Sequence, residues 1–162
     1  MEPDFGVGAK MERSDPERAL LREVQRDVTT PLAELGRRVG MAQSTVWRKL
    51  QEFEAAGLLT ARVALLDPVR AGVPLCIFAD VTLADHAETT IAGFTALVRA
   101  HAEVIECHAV AGASDYVLKI RAADMAAYER FLSGVLLRSQ HIRSVQSAFS
   151  LKEIKHTTAL PV

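Results

Sequence analysis

The sequence predicts an α+β protein with two parts, a bundle of three short helices followed by a four-stranded sheet that carries two helices. Three observations support this prediction. Apolar residues recur at helical spacing as far as Phe53. Two breaks follow at residues 67–68 and 72–74, where Asp-Pro and Gly-Val-Pro interrupt the pattern. Beyond the breaks, strand-like segments alternate with two amphipathic helical segments.

Length and composition are compatible with this architecture. The chain has 162 residues, and 49% hydrophobic with 24% charged residues is typical of a globular protein rather than a disordered one. No apolar run approaches the roughly 18 residues of a membrane helix, and the N-terminus lacks the features of a secretory signal. The two cysteines cannot build a disulfide framework. We therefore expect a cytoplasmic protein with no membrane partner.

The N-terminal region is predicted to contain an arm and a first helix. Residues 1–15 show little periodicity and are interpreted as a mobile arm, in which Met11 is an alternative start. From Pro16 the pattern is helical, and Asp15 is the candidate cap. The apolar face of this helix consists of Leu20, Val24 and Val28.

Two more short helices are predicted before the first break. The second helix begins at Pro31 and ends at Gly40, and the third occupies residues 42–56 and ends at Gly57. Their apolar faces consist of Leu32, Leu35 and Val39 in the second helix, and of Val46, Leu50 and Phe53 in the third. The tight turn at residues 39–41 joins them into a helix-turn-helix within a trihelical core.

The second half of the chain has the order βαββαβ. The predicted strands are Leu75–Leu83, Val104–Ala111, Tyr116–Arg121 and Ile142–Ile154, and the predicted helices are His86–His101 and one capped by Asp124. This order is the ferredoxin-like arrangement, in which both helices cover the same face of the sheet. The predicted domains are therefore 16–62 for the helix-turn-helix domain, 63–74 for a linker and 75–162 for the ferredoxin-like domain.

The uncovered face of the predicted sheet is amphipathic. It is expected to present Glu106, His108 and Lys119 together with Val104 and Val110. A mixed face of this kind often packs on a partner, so we expect a homodimer. Cys107, on the same strand, is interpreted as a small core residue rather than a redox sensor.

The outward face of the third helix has the residue types that read DNA. Short polar side chains near its start would let the helix enter a major groove, and arginine and glutamine can bond guanine and adenine edges. The candidates for DNA contact are Gln43, Ser44, Thr45, Arg48 and Lys49 on this helix, with Arg37 and Arg38 before it. Lys49 and the two preceding arginines are assigned to phosphates, which position a protein without reading sequence. Trp47 is interpreted mainly as a core residue and alternatively as a contact to the DNA backbone. A merely solvated polar face explains the same pattern equally well.

The distribution of charge adds limited support for DNA binding. The whole chain carries 19 basic and 20 acidic residues, so its net charge of −1 favours no nucleic-acid partner. Residues 31–62 hold five basic and three acidic side chains, a local excess of two positive charges. We expect an affinity that is moderate, depends on several copies acting together and falls with salt.

Several blocks of sequence resemble a known family, the Lrp/AsnC (leucine-responsive, feast/famine) transcriptional regulators. The resemblance extends from about Asp15 to Val162. The blocks that carry it are Leu35–Met41, Ser44–Leu50, Phe53–Leu59, Leu66–Pro68 with Gly72, Val104–Lys119 and Asp124–Tyr128. It implies a winged helix-turn-helix domain that binds double-stranded promoter DNA. It also implies an amino-acid-sensing domain of ferredoxin-like fold, with dimers that assemble into tetramers or octamers.

The resemblance further implies where an effector binds. An amino acid or related metabolite would lie between dimers, near the turn that joins the second and third strands, and would alter oligomeric state or DNA affinity. The implied effector residues are Gly112, Ala113, Ser114, Asp115 and Tyr116 in this turn, with Gln146 and Ser147 on the last strand. Exposed amides would meet the effector carboxylate and Asp115 its ammonium group. The alternative is that Asp115 only orders the turn.

Two other functions are weighed against a regulator. Haem-pathway decarboxylases resemble the same family and fold, and in that enzyme reading His108 is the residue to test. A ligand-binding assembly module that does not recognise DNA is the other alternative. The five histidines show no metal-ligand spacing, and no nucleophile elbow or phosphate-binding glycine loop occurs. We expect no catalytic residues, no metal site and no cofactor.

Overall fold

The computed structural model describes residues 13–162 in two compact units. The helical unit comprises residues 13–64 together with Lys155–Val162, and the sheet unit comprises Leu65–Ile154. Most of the arm predicted over residues 1–15 lies outside the described residues. Within the described part of the chain, no helix is long and apolar enough to cross a membrane.

The helical unit contains α1 (Asp15–Arg26), α2 (Leu32–Val39) and α3 (Gln43–Ala55). Helix α1 is capped by Ser14 rather than Asp15. The backbone N–H of Ser14 donates to Oε2 of Glu17 over 2.9 Å, and the Ser14 hydroxyl donates to the same oxygen over 3.0 Å. The end of the predicted arm therefore forms the start of the helix, because Ser14 and Glu17 have the spacing of a capping box.

The predicted apolar faces meet in the core of the helical unit. One residue from each helix, Leu20, Leu35 and Val46, is almost inaccessible to solvent. The remaining buried members are Leu21, Val24, Val39, Leu50 and Phe53. Val28 does not join them: it follows the end of α1 and is 40% exposed.

Two glycines shape the turn between α2 and α3. Gly40 follows α2 with a φ of 69°, in the left-handed region that glycine enters at little cost. A Cβ added to Gly36 would lie 2.4 Å from the backbone oxygen of Met41. The turn can therefore fold back over α2 only because position 36 has no side chain.

No strand is described between α3 and residue 75. Residues 59–66 do not pair with another strand. The structure therefore shows no β-strand wing in this segment, although the resemblance implies a winged domain. The predicted break at residue 67 is real: Oδ1 of Asp67 accepts hydrogen bonds from the backbone N–H groups of Val69 and Arg70, each over 2.9 Å.

The sheet unit confirms the predicted βαββαβ order. Its elements are β1 (Leu75–Leu83), α4 (Glu88–Ala100), β2 (Val104–Ala109), β3 (Tyr116–Ala122), α5 (Met125–Phe131), a π-helical turn (Leu132–Leu136) and β4 (Ile142–Phe149). The strands pair antiparallel in the order β2-β3-β1-β4. Asp124 caps α5, as predicted, by accepting a hydrogen bond from the N–H of Ala127 over 2.7 Å.

The two faces of the sheet differ, and a bulge in β2 changes one expectation. Val104 pairs with Ile120 but Glu106 pairs with Lys119, so the register shifts around Ile105. Simple alternation had placed Val104 on the open face beside Glu106; because of the extra residue it packs against the helix-covered core instead. The expectation for Cys107 is also wrong, since its residue is exposed on the edge strand.

The last strand is shorter than predicted, and the segment after it groups in space with the helical unit. Strand β4 ends at Phe149 rather than at Ile154. Residues 155–162, which the sequence assigns to the ferredoxin-like domain, group with the helical unit. Val162 packs against the trihelical core. This apolar contact joins residues that are far apart in the sequence, and it explains why the segment groups with the helical unit.

Candidate DNA-reading helix and effector turn

Helix α3 presents most of the predicted DNA-reading residues to solvent. Gln43, Ser44 and Arg48 are exposed, while Thr45 is half-buried. The preferred interpretation of Trp47 as a core residue is wrong, because it is 56% exposed. The opposite face of α3 is anchored in the core by Val46, Leu50 and Phe53.

The exposed tryptophan lines an open groove at the start of α3. The groove has a volume of about 600 Å³ and is lined by Leu32, Gln43, Ser44 and Trp47. Polar groups that can bond base edges and an apolar ring that can pack on a sugar or a thymine methyl thus lie side by side. A solvated polar helix face does not need the exposed aromatic ring.

Arg48 and Lys49 differ in how strongly they are held. The guanidinium of Arg48 pairs with Glu52 on the same exposed surface of α3. Nζ of Lys49 lies 2.7 Å from Oε1 of Glu17 on α1 and 2.9 Å from Oε2 of Glu52. The Lys49 side chain is only 23% exposed. Lys49 therefore joins two helices, whereas Arg48 can exchange its exposed partner for another anion.

Electrostatics agree with this distinction. The pKa of Glu17 is lowered from 4.5 to about 2 by the ammonium group of Lys49 and by the N–H and hydroxyl of Ser14. The carboxylates of Glu17 and Glu52 in turn raise the pKa of Lys49. Each charge stabilises the ionised form of its partner, so the cluster stays charged at neutral pH.

The two arginines before the turn are also held by carboxylates. Arg37 pairs with Glu34. Nε of Arg38 lies 2.8 Å from Glu34, and its Nη1 lies 2.9 Å from Glu23 on α1. Both arginines are exposed, so DNA phosphates could compete for them as they could for Arg48.

The predicted effector turn joins β2 to β3 and is held in place by Asp115. Oδ2 of Asp115 accepts a hydrogen bond from the N–H of Leu83 over 2.7 Å, and Oδ1 lies 2.8 Å from Nε2 of His86. These partners, the Leu83 amide first, lower the pKa of Asp115. The residues before it, Gly112 and Ala113, are exposed, while Ser114 and Tyr116 are half-buried. Asp115 thus orders the turn, and a carboxylate with two partners retains acceptor capacity for a ligand.

Gln146 and Ser147 lie on opposite faces of the sheet. Gln146 pairs with Asp80 on the open face, whereas Ser147 pairs with Ala79. The Ser147 hydroxyl shares a 2.5 Å hydrogen bond with the hydroxyl of Tyr128, which is buried in the core. Within one chain the two side chains do not converge on a single pocket, because adjacent strand residues point to opposite sides.

The open face of the sheet carries a mixed group of charges. Nζ of Lys119 lies 2.8 Å from Oε1 of Glu106, and this contact is the main reason why the pKa of Glu106 is lowered. Nε2 of His108, the residue named for the enzyme alternative, lies 3.6 Å from Glu106 and its side chain is 67% exposed. Phe78, 42% exposed, lies in the same row as Lys119. Among the residues that the structure describes, no group of three or more His, Cys, Asp or Glu could hold a metal ion.

Sequence reasoning missed the residues that fix these groups. The signal that could have found Glu17 is the Ser14-x-x-Glu17 spacing, which is typical of a capping box. Glu52 is three and four residues after Lys49 and Arg48, the spacing of helical ion pairs. No local signal links His86 to Asp115, because that contact depends on the sheet.

Comparison with known proteins identifies the family of both units. Residues 17–54 match the model of the AsnC-type helix-turn-helix domain, and residues 76–160 match that of the Lrp/AsnC ligand binding domain. The glutamate uptake regulatory protein of Zymomonas mobilis is 34% identical over 143 residues, which cover 88% of this chain and 87% of that protein. The DNA-binding transcriptional activator DecR of Escherichia coli is 32% identical over 90% of this chain and 96% of its own length.

Solved structures agree with this assignment. A transcriptional regulator from Neisseria meningitidis, crystallised as a complex with L-Met, has a TM-score of 0.89 and 34% identity, with 93% of this chain and 97% of that chain covered. An AsnC family transcriptional regulator from Agrobacterium tumefaciens has a TM-score of 0.87 and 35% identity, with 92% and 97% covered. Two family models and relatives of this length and identity lead to one conclusion: the chain belongs to the Lrp/AsnC family of transcriptional regulators.

Proposed function

We propose that this regulator reads operator DNA with the exposed face of α3. The observation that carries the proposal is the division of α3 into a buried apolar face and a face on which Gln43, Ser44, Trp47 and Arg48 are all exposed. Gln43 and Arg48 have the donors and acceptors that bond base edges, and Ser44 is short enough to let the helix approach them. Trp47 packs against the sugar-phosphate backbone or a thymine methyl.

Lys49 has a different role in this proposal. Because it lies between Glu17 and Glu52 and is largely shielded, it holds α3 against α1 rather than reading DNA. Arg37, Arg38 and Thr45 contact phosphates at the edge of the site. The exposed pairs of the arginines with Glu34 and Glu52 cost little to replace, since ion pairs at a protein surface contribute at most about 1 kcal/mol.

The same proposal includes a homodimer formed through the open face of the sheet. Phe78 is exposed there beside the Lys119–Glu106 pair, so the face can bury apolar area and match charges of a second copy. Two copies would present two α3 helices to major grooves about one helical turn, roughly 34 Å, or a multiple of it apart. Dimers assemble further into tetramers or octamers.

An amino acid or related metabolite modulates the assembly by binding near the turn at residues 112–116. The turn offers exposed peptide groups for a carboxylate and the Asp115 carboxylate for an ammonium group. Gln146 belongs to this site only if another copy brings its open face to the turn, because Ser147 points to the core. The effector must bind one assembly more tightly than another, since equal affinity for both shifts nothing.

The proposal is tested by gel-shift with DNA from upstream of the protein's own gene, repeated with a panel of amino acids that includes methionine, leucine and glutamate. We expect salt-sensitive binding and a change in affinity with at least one amino acid. Absence of specific binding at any salt concentration would contradict the proposal and favour an assembly module. Binding that no amino acid changes would contradict the effector part alone.

A further inference from the structure

Residues 155–162 make a defined set of contacts with α1. Oε1 of Gln25 accepts a hydrogen bond from the backbone N–H of Leu160 over 2.6 Å, and Nε2 of Gln25 donates to the backbone oxygen of the same residue over 3.2 Å. Nη1 of Arg22 donates to the backbone oxygen of Val162 over 2.8 Å. One side-chain amide thus pairs with both polar groups of a single residue, much as a neighbouring strand would.

An apolar contact completes this docking site. Val162 packs against the buried cluster of the trihelical core, which includes Leu20 and Leu21 of α1. Leu160 remains 68% exposed, so recognition depends on the backbone at residue 160 and on the side chain at residue 162. These contacts join a segment at the end of the chain to a helix near its start.

The docked segment changes how the two units are connected. The chain passes from the helical to the sheet unit once between residues 64 and 65, and returns once between residues 154 and 155. Without docking at α1, only the chain segment at residues 64–65 would restrict the positions that the helical unit can take. With docking, the helical unit has a second connection, which is held to α1 by hydrogen bonds and by the packing of Val162. A second connection reduces the range of positions that the unit can reach.

We propose that α1 carries a docking site for residues 155–162 of this chain, and that the docked segment acts as a strap which limits the half-site spacings that a dimer can bind. This rests on the proposed function, because spacing matters only if two helical units contact one DNA duplex. The strap narrows the choice of operators by restricting reach, with no contact to a base. Its release broadens the range of accepted sites.

Amide hydrogen exchange tests the docking. In the unsubstituted protein the Leu160 amide exchanges about tenfold or more slowly than in an unstructured peptide, because opening must precede exchange. Gln25→Ala removes the acceptor and brings the Leu160 rate to that of the peptide. Arg18→Ala is the matched control, since Arg18 is an exposed arginine of the same helix and its side chain makes no hydrogen bond or ion pair within residues 13–162. Peptide-like exchange at Leu160 in the unsubstituted protein overturns the proposal.

DNA binding tests the spacing role. The measured quantity is the ratio of Kd for half-sites moved by five base pairs, about half a helical turn, to Kd for the best spacing. We expect this ratio to fall by about tenfold in Gln25→Ala and in a chain that ends at Ile154, and to stay unchanged in Arg18→Ala. Equal ratios in all four proteins overturn the strap. If the unsubstituted protein binds no DNA at any spacing, the proposed function and the spacing role both fail, and hydrogen exchange still decides the docking.

Discussion

The ammonium group of Lys49 on α3 lies 2.7 Å from the carboxylate of Glu17 in the first turn of α1. Glu17 also accepts the hydrogen bonds of the Ser14 cap. One carboxylate therefore stabilises the start of α1 and also holds α3, the proposed DNA-reading helix, against α1. The residue that positions α3, Lys49, is therefore different from the exposed residues that we propose to contact DNA.

The Glu17–Lys49 pair makes the stability of the helical unit depend on pH. The pKa of Glu17 is lowered from 4.5 to about 2, so its stabilisation is fully present above pH 4.5 and is lost as the pH falls towards 2. Glu17→Gln removes this contribution. In urea unfolding followed by circular dichroism, the difference in free energy of unfolding between the two proteins should be constant above about pH 5 and shrink below it.

Asp15→Asn is the matched control, because Asp15 is an exposed carboxylate in the same turn of α1. It should reproduce the unsubstituted pH dependence. A difference for Glu17→Gln that is independent of pH from 6 to 3 would contradict the role of the ion pair.

Arg48→Ala should weaken binding to the specific operator by about 1–3 kcal/mol if Arg48 reads a base. The substitution breaks only an exposed pair with Glu52 and leaves the buried face of α3 intact, so the free energy of unfolding should change little. Gel-shift on operator and scrambled DNA measures the loss of discrimination.

Arg26→Ala serves as the control, since Arg26 likewise pairs with a carboxylate of its own helix, Glu23, but does not lie on α3. Unchanged discrimination between operator and scrambled DNA in Arg48→Ala would remove Arg48 from base readout. Equal losses in both variants would indicate a general effect of charge.

Asp115→Ala should destabilise the effector turn and blunt the response to an amino acid while leaving the dimer intact. The N–H of Leu83, which is a buried residue, loses its acceptor, and this costs about 1–3 kcal/mol in free energy of unfolding of the sheet unit. His86→Ala removes only the exposed partner of Asp115 and should cost at most about 1 kcal/mol. Urea unfolding, size-exclusion chromatography and the effector panel provide the three measurements.

The comparison between these two variants separates the roles of Asp115. A full effector response in Asp115→Ala would place the effector elsewhere. A lost response in Asp115→Ala with a retained response in His86→Ala would show that the response needs the Asp115 carboxylate but not its contact with His86.

Gly36→Ala should disrupt the turn between α2 and α3. The added Cβ would lie 2.4 Å from the backbone oxygen of Met41, and a backbone atom cannot move without shifting the turn. We expect a loss of about 1–3 kcal/mol in the free energy of unfolding, together with weaker DNA binding. Gly134→Ala, which would meet no atom within 4 Å, is the control in urea unfolding. Equal stability of the two variants would show that the turn tolerates the methyl group.

The sequence predicted the order of elements and the helix-turn-helix domain because the signals for helices, strands and turns are local. Helical spacing identified the buried face of α3 at Val46, Leu50 and Phe53, and a glycine marked the end of α2 at Gly40. Alternation placed Leu118 and Ile120 of β3 in the core. It failed at Val104, where the bulge at Ile105 reverses the alternation, because a bulge depends on how two strands pair.

By itself the sequence determined the fold class, the family resemblance and which residue types stand on α3. Only the tertiary structure decided which of those residues are free to act. It left Trp47 exposed, joined Lys49 of α3 to Glu17 of α1, and brought His86 to Asp115. The physical reason is that exposure and ion pairing are set by groups far apart in the chain, and local periodicity carries no information about which of them meet.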